Sequence, residues 1–260
     1  MIFDPLQAVT GDDWLQTRQG RRLYLRQEKL ILDLVAPVAG ESVLDVGCGS
    51  GNTLRMFGRK KCLLTGMDPS AAALESARRN LGASCGLVLG NAADIPFSDN
   101  EFDVVTLTGG LQGSANPQKA LAEAVRVSRN RVFVGFLNRY SSAGTGQAVR
   151  NFFGFPAASN LRFFSIGEMQ TLIHKTMSGA QIQWGSVMCL PGPAVALLSS
   201  LEDLFPMRNN PLGAFVGMVF SVNYTYRTVQ HPVLNSFKLK ARERAAAPEA
   251  VRDMLREGKP

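Results

Sequence analysis

The stretch that decides the fold is VLDVGCGSGN, residues 43–52. A short apolar strand with one aspartate in it runs straight into glycines at positions 47, 49 and 51. Glycines at alternate positions allow a tight strand-to-helix turn and let a ligand lie almost on the backbone. A dinucleotide fingerprint would read GxGxxG, and the place of its third glycine holds Asn52 here. A phosphate loop of the GxxxxGK[ST] kind needs a lysine that this turn lacks. Both phosphate readings fit poorly, and a GxGxG turn alone does not choose a ligand.

Working outward, strands and helices alternate from residue 40 to 138. After SVLDV comes a helix from about Asn52 to Gly58, then the apolar strand CLLTGMD (62–68). PSAAALESARRNLG reads as a helix with Pro69 and Ser70 in its first turn and Gly82 at its end. GLVLGN (86–91) and FDVVTLT (102–108) are strands, PQKALAEAVRVSR (117–129) a helix, and RVFVGFLN (131–138) a fifth strand. This order predicts a parallel sheet with helices on both faces, doubly wound by right-handed crossovers.

Upstream, residues 14–36 place Leu23, Leu30 and Leu34 at helical spacing until Pro37. Downstream, residues 139–180 are expected to form a cap, rich in Gly, Ser and Phe before the helix SIGEMQTLIHKTM (165–177). That helix has Ser165 as N-cap and Glu168 in capping-box position. QIQWGSVMCL (181–190) and AFVGMVFSVNY (214–224) complete a set of C-terminal strands over 181–225. Residues 1–235 are thus read as one domain with its core at 40–138, and 236–260 as a polar, basic tail.

The bulk properties narrow the function classes. The 260 residues are 45% hydrophobic and 19% charged, an ordinary globular balance. No run reaches the roughly 18 apolar residues that span a bilayer, and MIFDPLQAVTGDDW lacks the basic start and apolar core expected of a secretory signal. A cytoplasmic location is the expectation. The four cysteines form no CxxC pair, and with two histidines no metal site is expected. The net charge of +7 raises nucleic acid as a partner, but the basic clusters RQGRRLYLRQEK and FKLKARER are not interleaved with stacking aromatics.

Two further features join the glycine turn. Asp68 ends the second strand in GMDPS, where a carboxylate can take both hydroxyls of a ribose. NAADIPFSDNEFDVV follows the third strand. Together with VLDVGCGSG and the strand end TLTGGL, these motifs resemble class I S-adenosylmethionine-dependent methyltransferases. The closest pattern is the methyltransferase type 11 group that includes ubiquinone and menaquinone biosynthesis methyltransferases. The resemblance is dense over 43–138. It implies an α/β fold: a doubly wound, mostly parallel seven-stranded sheet with an antiparallel edge strand and a small helical cap.

The resemblance also implies the cofactor, S-adenosylmethionine, with S-adenosylhomocysteine as product. Gly47, Cys48, Gly49 and Gly51 would line its methionine portion, and Asp45 would orient its ammonium. Asp68 would bind the ribose diol, with Met67 or Pro69 flanking the adenine. Asn91 and Ala92 would meet the adenine, and Thr108 would adjoin the methyl-donor pocket. The usual Pro-Gly-Gly turn before the fifth strand is SRNR here, and the substrate signatures of quinone methyltransferases are not evident after Asn138.

The expected function is methyl transfer by in-line displacement to a small, apolar acceptor. No NPPY-type sequence follows the fourth strand and no Pro-Cys nucleophile is present. A base is needed only if the acceptor must lose a proton; the candidates are His174, Tyr24 and Tyr140. Asp68 alone could instead be a helix N-cap, and His174 a structural residue of its helix. Phe152, Phe153, Phe155, Phe163 and Phe164 could be a lid over the acceptor or a packed cap, with Trp14 and Tyr24 closing the other side. The alternatives are an RNA-directed methyltransferase and a non-catalytic S-adenosylmethionine-binding protein; an NAD(P) oxidoreductase is the weakest rival.

Overall fold

A computed structural model describes residues 18–141, 162–187 and 210–222. All of them fall in one of the chain's two units, residues 1–223. Trp14, Phe152, Phe153, Phe155, the segment 191–205, His231 and the tail 236–260 lie outside the described residues.

The order of elements is α1 (Arg18–Val35), β1 (Ser42–Val46), α2 (Asn52–Arg59), β2 (Leu63–Asp68), α3 (Ala71–Leu81) and β3 (Cys85–Leu89). Then follow β4 (Phe102–Leu107), α4 (Pro117–Val127), β5 (Ser128–Leu137), α5 (Ile166–Thr176), β6 (Ile182–Val187) and β7 (Phe215–Ser221). The seven strands form one sheet in the order β3-β2-β1-β4-β5-β7-β6. β1 to β5 pair in parallel. The antiparallel strand is β7, which lies one place in from the rim between β5 and β6 and pairs antiparallel with both.

Alternation along the strands decides which helices cover which face. Val43, Val104 and Phe133 pack with Leu30, Leu34 and Phe57 of α1 and α2. Their neighbours Leu44, Val105, Val132 and Val134 point the other way, onto Leu121 and Ala124 of α4 and Met169 and Ile173 of α5. Arg131 clasps the end of α1 to the sheet: its Nε–H donates to the Val35 carbonyl (2.8 Å), and both terminal nitrogens reach Glu41 (2.9 and 2.6 Å).

Several boundaries differ from the sequence expectation. α4 stops at Val127 rather than 129, because Ser128 already pairs with Phe102 in the β4–β5 ladder. Helix therefore passes into strand with no turn at all. Ser70 is the N-cap of α3, not part of its first turn; its hydroxyl accepts from the Ala73 N–H. The third strand ends at Leu89, and Asn91 forms an isolated bridge with Asp94. The capping box of α5 is present in both directions, Ser165 to Glu168 and back.

Candidate functional site

Strand order changes direction between β1 and β4, and ligands of open α/β sheets bind outside the carboxyl ends of the strands at such a point. The glycine turn leaves β1 there. Gly47 and Cys48 N–H both donate to the Met67 carbonyl at the end of β2 (2.7 and 3.0 Å). Gly47 has φ +76°, and a Cβ on it would lie 2.4 Å from the Gly110 backbone nitrogen. So the loop after β4 and the glycine loop touch backbone to backbone, which only glycine permits. Gly49, also left-handed at φ +52°, has nothing within 4 Å of where its Cβ would be. The turn is closed at Gly47 and open at Gly49, and the open place is where a ligand can approach. Gly51 is shut off by Leu81 and Ala77 of α3.

Asp68 ties the two strand ends together. Its Oδ2 accepts from the Gly49 N–H (2.9 Å) and its Oδ1 from the Ser70 N–H (2.9 Å). It is not the N-cap of α3, since Ser70 holds that place. Each carboxylate oxygen keeps a lone pair for a further donor. Asn80 of α3 adds a third tether, donating from Nδ2 to the Ser50 carbonyl (3.0 Å).

Asp45 is wholly buried. Its Oδ1 accepts from Thr106 Oγ1 (2.6 Å) and from Thr108 Oγ1 (3.3 Å), and Thr53 Oγ1 lies 3.2 Å from that of Thr108. Its Oδ2 has no hydrogen-bond partner among the described residues. Burial pushes the Asp45 carboxyl up to about 7, against the two threonine hydrogen bonds, and the charge of Asp68 adds to the rise. Burial likewise pushes the Cys48 thiol up, with Asp45 and Asp68 reinforcing it, so that thiol is inert packing beneath the loop.

Pro69 is exposed beside the site, whereas the Met67 side chain is buried in the core and only its carbonyl serves the loop. Asn91 is exposed; its Oδ1 accepts from the Ala93 N–H (2.9 Å), and Ala92 is buried below. The segment behind them is fixed by Arg126, whose guanidinium reaches the carbonyls of Ile95 and Phe97 and the carboxylates of Asp99 and Glu123. Glu123 also accepts from the Ile95 N–H.

The three base candidates are not gathered. The Tyr24 hydroxyl donates to the Asn52 carbonyl at the start of α2 (3.1 Å), and burial first, then Glu28, raises its pKa. Tyr140 is 63% exposed just past β5. His174 is exposed on α5, in the layer packed on α4, and has no hydrogen bond to the site among the described residues. Residue types alone missed Thr106, Asn80 and Gly110. Thr106 and Gly110 carried a signal, as parts of the TLTGGL strand end, and Asn80 carried none.

The residues present fit a cationic ligand better than a phosphate. The open Gly49 is bonded to Asp68, which has spare acceptor capacity, and its turn leaves the strand that carries Asp45, whose Oδ2 has no partner among the described residues. A phosphate there would add like charge beside a carboxyl that burial already disfavours. An ammonium, directly or through water, would satisfy Asp45, and a diol would satisfy Asp68. Among the described residues no group of three or more His, Cys, Asp or Glu could hold a metal ion, and no helix is long and apolar enough to cross a membrane.

Comparison with known proteins points the same way. Residues 44–134 match the family model described as a methyltransferase domain. A demethylmenaquinone methyltransferase of Renibacterium salmoninarum is 35% identical over 133 residues, which cover 49% of this chain and 53% of the relative. A ubiquinone/menaquinone biosynthesis C-methyltransferase of Roseobacter denitrificans is 34% identical over 109 residues, 39% of this chain and 44% of the relative. The chain thus spans about half the length of the curated relatives it matches. Among solved structures, an S-adenosylmethionine-dependent methyltransferase of Thermotoga maritima superposes with TM-score 0.60 at 20% identity, covering 82% of this chain and 94% of that one. Magnesium protoporphyrin IX methyltransferase from Synechocystis, with S-adenosylhomocysteine bound, gives 0.57 at 14% identity over 78% and 84%. At these identities the structures speak for the fold. Residues 44–134 are thus similar to the methyltransferase-domain family, on a fold shared with solved methyltransferases.

Proposed function

We propose that the protein transfers a methyl group from S-adenosylmethionine to a small acceptor of quinone type. The observation that carries the cofactor half is the pair of carboxylates at the ends of β1 and β2 beside an open glycine turn. The acceptor class is supported by the names of the curated relatives, a demethylmenaquinone methyltransferase and a ubiquinone/menaquinone biosynthesis C-methyltransferase.

When bound, the cofactor supplies a methyl group already activated on a sulfonium. What this chain must do is bind, orient and exclude water. Asp45 holds a positive group over the β1 end, with Thr106 and Thr108 fixing the direction of its carboxylate. Asp68 anchors the ribose and, through Gly49, sets the loop against it. Exposed Pro69 and the Asn91–Ala92 corner flank the adenine, while Arg126 and Glu123 hold the segment behind that corner. Thr108 borders the methyl-donor side. We take residues 40–138, the core read from the sequence, as the part that does this work. None of His174, Tyr24 or Tyr140 is placed here as a base.

The test is calorimetric titration with S-adenosylhomocysteine on the wild type and Asp68→Ala. We expect micromolar binding that the substitution weakens at least tenfold, about 1.4 kcal/mol. Absence of both heat and thermal shift with the wild type would sink the reading.

A further inference from the structure

The ends of β4 and β5 lie on the other side of β1 from Asp68; under the methyltransferase reading an acceptor would approach there, beyond Thr108, and among the described residues one cation at that end makes no ion pair. Phe164 bridges in parallel to Asn138; its N–H donates to the Leu137 carbonyl (3.2 Å) and its carbonyl accepts from the Arg139 N–H (3.0 Å). This fixes residues 162–164 at the carboxyl end of β5. The Arg162 carbonyl accepts from Gln112 Nε2 (3.3 Å), and Gln112 is only 4% exposed, five residues past the end of β4. Since Gly110 touches Gly47 backbone to backbone, a short chain of contacts leads from the glycine loop to Arg162.

The two guanidiniums of this rim differ. Arg139 is committed, with one nitrogen on Glu168 (2.8 Å) and another on the Phe163 carbonyl (3.1 Å). Arg162 stacks over the Phe164 ring with 5.0 Å from Cζ to the centroid. It is exposed and has no ion-pair partner among the described residues. Phe164 is itself locked edge-on against Phe136, 6.2 Å between centroids. A guanidinium stacked on an immobile ring loses part of its side-chain freedom before any ligand arrives, and a planar fork so placed suits a carboxylate or phenolate.

Two large side chains are exposed at the same strand end. Asn138 donates from Nδ2 to the Pro211 and Gly213 carbonyls and accepts from the Tyr140 N–H. That brings Tyr140, 63% exposed, and Leu212, 61% exposed, to the same strand end. Carboxylates thus stand at the ends of β1 and β2, while at the ends of β4 and β5 Glu168 is paired with Arg139 and Arg162 has no ion pair among the described residues.

We propose that Arg162 is the acceptor-binding cation of this enzyme, and that the acceptor carries an anionic group, a carboxylate or an ionised phenol, on an apolar body. The inference rests on the methyltransferase reading and names the chemistry of its second substrate. An ionised hydroquinone or an aromatic acid meets it; a neutral hydrocarbon does not.

The experiment uses full-length protein saturated with S-adenosylhomocysteine, titrated with 2-naphthoate and with its neutral counterpart 2-naphthamide. The wild type is expected to bind naphthoate at least tenfold tighter than naphthamide. Arg162→Gln should bring the two within twofold, and Arg162→Lys should keep an intermediate preference. Both variants should bind S-adenosylhomocysteine as the wild type does, since Arg162 touches none of the cofactor residues. An unchanged preference in Arg162→Gln, no preference in the wild type, or no binding of either probe overturns the proposal. Failure of the wild type to bind S-adenosylhomocysteine is a separate result: it overturns the methyltransferase reading and this inference with it.

Discussion

Around Gly47–Gly51 the long-range hydrogen bonds seen among the described residues come from β2 and α3, namely the Met67 carbonyl, the Asp68 carboxylate and the Asn80 amide, with Gly110 packed against Gly47. At the end of β5 three segments far apart in the chain, 138–141, 162–165 and 210–214, meet on the side chain and backbone of Asn138, which is wholly buried. The first region is a local βαβ device, in which the strand that carries Asp68 also forms the floor of the loop. The second is a convergence that exists only once the sheet has closed. A local device can serve any acceptor, and a convergent one can be rebuilt for each, so the cofactor half and the acceptor half of the site should fail independently.

The largest break expected in the first region is Gly47→Ala. The left-handed φ costs about 1–2 kcal/mol for a residue with a Cβ. The clash lies against backbone that cannot rotate away, which adds about 1–3 kcal/mol. Chemical denaturation should show a loss of roughly 3 kcal/mol, and calorimetry no binding of S-adenosylhomocysteine. In the second region, Asn138→Ala leaves the buried Gly213 carbonyl without its donor and frees the 210–214 segment. Denaturation should show a loss of about 2 kcal/mol, with cofactor affinity in the folded protein changed less than threefold. If Asn138→Ala abolished cofactor binding, the two halves would be one cooperative unit and the comparison would fall.

This division explains what could be read in advance. The alternation of strands and helices, the capping box at Ser165 and Glu168 and the GxGxG turn are written in residues close together in the chain. The place of Asp68 at the next strand end was legible because the apolar run that it closes stands out in the sequence. Its bond to the Gly49 N–H was not, since it depends on the parallel register of β1 on β2. Thr106 reaches Asp45 only because those two residues are paired across β1 and β4. Asn138 finds its partners 73 and 75 residues on, and Gln112 meets Arg162 50 residues on. No short pattern encodes such distances. The base candidates show the converse: His174, Tyr24 and Tyr140 were chosen by chemical type, and the fold leaves the first exposed on α5 and spends the second on a carbonyl.

The smallest effect concerns Asp45, and its sign can be fixed. Burial holds this carboxyl at about 7 in the ligand-free fold against an ordinary 3.8. The folded protein therefore keeps a proton that the unfolded chain releases between about pH 4 and pH 7. Stability from this group is full below the ordinary value and is lost as pH rises through the folded one. If the cofactor's ammonium sits beside Asp45, binding requires the ionised form and expels that proton. Affinity for S-adenosylhomocysteine should then fall with decreasing pH below about 7, by no more than tenfold per unit, because a single proton is released. Titrations at pH 6 in buffers of different ionisation enthalpy should count close to one proton for the wild type and none for Asp45→Asn. The variant should also lose the decline in stability over pH 4–7. A flat pH profile in the wild type would mean that Asp45 stays protonated beneath the ligand, as a hydrogen-bond donor rather than a counter-ion, and the cofactor half would then be held by Asp68 and the loop backbone alone.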